Sequence, residues 1–111
     1  MHEKRKHKRI KLGEHPVIYD ATSNKLIGTM IDISSGGFKV VSYSGMEIDK
    51  DYLLKIILPN RDGNEKSFVA KVNIRWCEKG TTSSFFTIGC LLTEVKEGAL
   101  ILSSFMMNIA T

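Results

Sequence analysis

Asp32-Ile33-Ser34-Ser35-Gly36-Gly37 interrupts an apolar run that extends from Leu26 to Val41. Apolar residues flank these six closely on both sides, so they read as a tight turn joining two strands, with polar groups facing outward. Two meanings fit the composition. Asp, Ser and Gly are the residues that ordinary hairpin turns use. The same glycines also let backbone N–H groups approach a ligand, and adjacent amides of a turn can form an anion-binding nest. On that second reading Ser34 and Ser35 donate to phosphate oxygens, and Asp32 accepts from a base edge or holds an arginine.

Working outward, residues 16–19 read as a first strand, residues 22–24 as a turn and residues 25–34 as a longer second strand. Residues 38–43 return as a third strand, broken by Ser44-Gly45. Residues 52–58 form an apolar fourth strand closed by Pro59, and Asn60-Arg61-Asp62-Gly63-Asn64 is a hairpin loop. Next comes the clearest period of the chain. Phe68, Ala70, Val72, Ile74 and Trp76 alternate with Lys71, Asn73 and Arg75, as in a strand with one face on a core. Residues 80–84 are a loop and residues 85–95 a sixth strand. Over residues 97–109 the spacing changes: Ile101, Phe105 and Ile109 recur every four residues beside Leu102 and Met106. That predicts an amphipathic helix which, with Met107, covers an open end of the sheet. The expected fold is mainly β, a six-stranded antiparallel barrel with a C-terminal helix. The expected organisation is a flexible basic arm over residues 1–13, the barrel over 14–95 and the helix segment over 96–111.

The chain's 111 residues suit one domain, and 42% hydrophobic residues suffice for a small core. No apolar run reaches the roughly 18–20 residues needed to cross a bilayer, so no membrane insertion is expected. The charged N-terminus lacks an apolar signal core, and a cytoplasmic location follows as the expectation. Cys77 and Cys90 stand in separate apolar runs and read as free buried thiols. His2, His7 and His15 have no ligand-like spacing, so neither a metal nor a cofactor is expected. Net charge is +4 and unevenly placed: Lys4, Arg5, Lys6, Lys8, Arg9 and Lys11 follow one another with no intervening acid. Such a leader points to an anionic partner. An enzyme is the least favoured class, because the chain offers no nucleophile elbow, no separate general base and no metal cluster.

Arg5-Lys6-His7-Lys8-Arg9 has the form RxxxR, and residues 32–37 have the form [D/N]xSxxG. This pair, in this order and with a strand between, resembles the PilZ family, whose members bind the bacterial second messenger cyclic di-GMP. The likeness continues through Val72 and Trp76, through Ile88-Gly89 and into the closing helix. The resemblance implies a signal-transduction receptor in which Arg5 and Arg9 clamp guanine and phosphate, Asp32 and Ser34 read polar groups, and Gly37 allows close approach. Ser35 and Gly36 fall at variable motif positions. Trp76 either borders the ligand, as an aromatic does in some relatives, or lies in the core, which its alternation with Ile74 favours. A cation at Lys4 is compatible with an intercalated ligand pair, and a homodimer stays open. A downstream protein is the implied output partner. Two other functions remain: a nonspecific nucleic-acid-binding module, disfavoured because no aromatic precedes Tyr19, and a PilZ-like scaffold indifferent to ligand.

Overall fold

A computed structural model describes residues 10–59 and 63–110, the side chains of residues 10, 11, 109 and 110 excepted. The strands are β1 (Ile10–Lys11), β2 (Val17–Asp20), β3 (Leu26–Ser34), β4 (Gly37–Ser42), β5 (Asp51–Ile57), β6 (Ser67–Lys79) and β7 (Phe86–Glu97). One helix, α1 (Ala99–Ala110), follows. Every strand pairing is antiparallel. Strands β2, β3, β4, β7, β6 and β5 pair in that order and β5 returns to β2, closing a six-stranded barrel. Closure removes the open edges that would otherwise template aggregation. The two-residue β1 lies outside this ring. It continues the β2 side of β3, with Ile10 opposite Ile33 and Lys11 opposite Asp32. The Leu12 N–H then donates to the Ile31 carbonyl at 3.1 Å, and the Leu12 side chain is buried in the core.

Alternation along the strands builds that core. Ile18, Met30, Phe38, Val40, Leu54 and Ile56 are fully enclosed, as are Phe68, Ala70, Val72 and Ile74 of β6 and Ile88 of β7. Each large side chain buried in this way stabilises the fold by about 1.5–3 kcal/mol relative to its exposed state. Helix α1 packs Ile101, Leu102, Phe105 and Met106 against this cluster, while Leu100 and Met107 face solvent. Met107 thus stands apart from the covering face that the sequence assigns it. Gly98, at φ +78°, separates β7 from the helix, and the end of β7 and the start of the helix each fall two residues later than the sequence reading places them. No helix among the described residues is long and apolar enough to cross a membrane. Residues 60–62 of the expected hairpin loop lie outside the described residues.

The period of β6 does not persist to its end. A bulge between Ile74 and Trp76 adds a residue against β7, so Trp76 pairs with Gly89 and Cys77 with Ile88. A one-residue insertion moves every later side chain to the opposite face. Cys77 therefore packs against the core, and Trp76, which the alternation places inside, stands on the outside.

Both cysteines are free. Burial pushes the Cys90 thiol up from its ordinary value of 9.0 to about 12, with nearby Cys77 adding to the shift. A raised value in the fold means that Cys90 contributes stability below about pH 9 that fades as pH rises towards 12. At pH 8, Cys90 should react with a thiol-specific disulfide reagent only on unfolding. Rapid labelling of Cys90 in native buffer would contradict this burial.

Candidate functional site

Two bulges, in β3 and β6, bring a row of outward positions into line across four strands. A bulge between Met30 and Asp32 turns Asp32 away from the core although Met30 and Ile33 both face it. Asp32 then pairs with Lys39 on β4, Lys39 with Gly89 on β7, and Gly89 with Trp76 on β6. On the far side Asp32 pairs with Lys11 of β1. Directly paired residues share one face of a sheet. The row therefore reads Asp32, Lys39, Gly89, Trp76.

The chemistry along this row is connected. Lys39 Nζ stands 3.4 Å from Asp32 Oδ2 and 6.0 Å from the centre of the Trp76 ring, within reach of a cation–π contact. Asp32 is only 5% exposed, despite lying outside the barrel core. A buried carboxylate needs compensating partners, and the Lys39 ammonium is one of them. Trp76 lies across Gly89 so closely that a Cβ built on Gly89 would overlap the indole. The missing side chain at Gly89 is thus what lets a flat ring rest on β7. Together these groups offer an acceptor, a cation and an aromatic plane, a set that suits a planar base carrying an anion.

The turn between β3 and β4 is held by its own hydrogen bonds. The buried Ser34 hydroxyl lies 3.4 Å from the Gly37 carbonyl and accepts from the Gly36 N–H at 3.3 Å. Ser34 thereby holds its own turn together, and one amide of the expected nest is directed inward to it. The Gly36 carbonyl accepts from the Leu92 N–H at 2.9 Å, tying the turn to β7. At Gly37 an added Cβ would overlap the carbonyl oxygen of Cys90. Close approach at Gly37 is therefore an approach of two strands. Ser35 is exposed at the loop tip beside half-buried Gly36.

Asp32 and Trp76 are thus joined in one row, and Ser34, Ser35, Gly36 and Gly37 border its Asp32 end. Lys4, Arg5 and Arg9 lie outside the described residues. Sequence reasoning missed Lys39. Its signal was present, since Lys39 alternates with buried Phe38 and Val40, but its pairing with Asp32 depends on the β3 bulge. No cluster of three or more metal-ligating side chains occurs among the described residues.

The sequence model of the PilZ domain matches residues 3–103, a span that contains both RxxxR and the residue 32–37 motif. The chain belongs to the PilZ family. PilZ domains are receptor and adaptor domains rather than enzymes. This PilZ domain is similar in fold to the inhibitor of motility of Bacillus subtilis (MotI/DgrA), with a TM-score of 0.72 and 16% sequence identity. The likeness covers 98% of the present chain and 51% of the other, so the chain spans about half the length of that relative. No curated protein sequence matches it.

Proposed function

We propose that this PilZ domain is a receptor for cyclic di-GMP, binding it on the row from Asp32 to Trp76 with the arginines of the N-terminal arm closing over it. The observation that carries the reading is the pairing of β1 with the end of β3, which sets Lys11 opposite Asp32. The basic arm thus leads directly to the second motif. Chain geometry keeps the Cα of Arg9 about 3.8 Å from that of Ile10, and that of Arg5 within about 18 Å of it.

Cyclic di-GMP presents two phosphodiesters and two guanines. An arginine fork matches O6 and N7 on the Hoogsteen edge of guanine, and Arg5 and Arg9 supply two such forks. Asp32, an acceptor, suits the N–H groups of a guanine, and Trp76 offers a plane for stacking. Ordering of the arm on the ligand changes the surface beside β3, which a downstream protein then reads.

Asp32 provides the test. Calorimetric titration of Asp32→Ala should show a loss for cyclic di-GMP that is larger than its loss for cyclic di-AMP, narrowing discrimination between the two. A missing base contact is worth about 1–3 kcal/mol. Equal losses for the two ligands would remove Asp32 from base reading.

A further inference from the structure

We infer that Lys39 is a ligand-binding residue of this face, one that exchanges Asp32 for a phosphate oxygen when cyclic di-GMP arrives. The inference rests on the reading of the face as a cyclic di-GMP site. Lys39 occupies the middle of the row, with Asp32 beside it on β3 and Gly89 on β7. Its ammonium is 3.4 Å from Asp32 Oδ2, and its side chain is 31% exposed against 8% for that of Asp32. Without ligand, then, a partly solvated cation stands over an enclosed carboxylate. It also stands 6.0 Å from the centre of the Trp76 ring, beside the plane offered to a base.

The exchange conserves pairing. A guanine whose N–H groups donate to Asp32 gives that carboxylate new partners, while the same ligand brings an anion for the ammonium. Lys39 can follow because its charge sits at the end of a flexible four-carbon stem with three donors. No strand has to move. Base and phosphate are thereby coupled: a ligand with only one of them leaves either Asp32 or Lys39 without its new partner.

A double-mutant cycle tests this, with Lys39→Met to keep the apolar stem and Asp32→Asn to keep the shape. Cyclic di-GMP affinity is measured by calorimetry for wild type, both single variants and the double variant, with circular dichroism to confirm folding. Lys39→Met should weaken binding roughly tenfold or more, the loss expected of a charge-assisted hydrogen bond. Most of that loss should persist in the Asp32→Asn background, and Lys39→Arg should restore binding. If Lys39 serves only to hold Asp32, Lys39→Met will be neutral once Asp32 is replaced, and the inference is overturned. Wild type that binds while Lys39→Met binds equally well overturns the role of Lys39 alone. Wild type that does not bind overturns the receptor reading and the inference with it.

Discussion

Replacing Gly37 with alanine should lower the melting temperature by about 10 °C or more, a loss of roughly 3 kcal/mol for a domain of this size. The cause is backbone against backbone. A Cβ at Gly37 would overlap the Cys90 carbonyl, and no side-chain rotation can relieve that. Strands β4 and β7 would have to separate where they first meet, beside the Gly36–Leu92 hydrogen bond. Ser35→Ala, one turn position away and exposed, should by contrast change stability by no more than about 0.5 kcal/mol. Thermal unfolding followed by circular dichroism distinguishes the two. If Gly37→Ala melts within about 2 °C of wild type, strand packing is not what requires glycine there.

Arg9→Ala and Arg5→Ala carry the second large effect. Each should weaken cyclic di-GMP binding roughly 5- to 150-fold, since a lost bidentate guanine contact costs about 1–3 kcal/mol and every 1.4 kcal/mol is a factor of ten. Arg9 adjoins β1, whose register against Ile33 and Asp32 fixes where the arm starts. Stability should be untouched, which separates these variants from Gly37→Ala. Calorimetry decides the matter: affinities equal to wild type would remove the arginines from the site.

The barrel was legible in the sequence because turn residues punctuate it, as at Thr22-Ser23-Asn24, Ser44-Gly45 and residues 80–84. Phe68, Ala70, Val72 and Ile74 alternate as expected and are all buried. Trp76 was not legible, for a definite reason. A period-2 reading carries its phase forward, and the bulge after Ile74 reverses that phase without any glycine or proline to announce it. The bulge in β3 hid the Asp32–Lys39 pair in the same way. The motif from Asp32 to Gly37 reads as a turn between two strands, and it joins β3 to β4. Ser34 and Gly37 are explained by the turn and by the approach of β7, while Asp32 points away to the row on the outer face. Composition alone cannot separate these roles, because a serine that closes a turn and one that donates to a ligand have the same spacing.

The chain has a single tryptophan, and it stands on the proposed face. Its emission during titration with cyclic di-GMP therefore reports the face and nothing else in the protein. The account predicts a saturable change with a midpoint in the micromolar range or below, equivalent to about −8 kcal/mol or tighter. Emission that stays flat while calorimetry records the same ligand binding to saturation would contradict it.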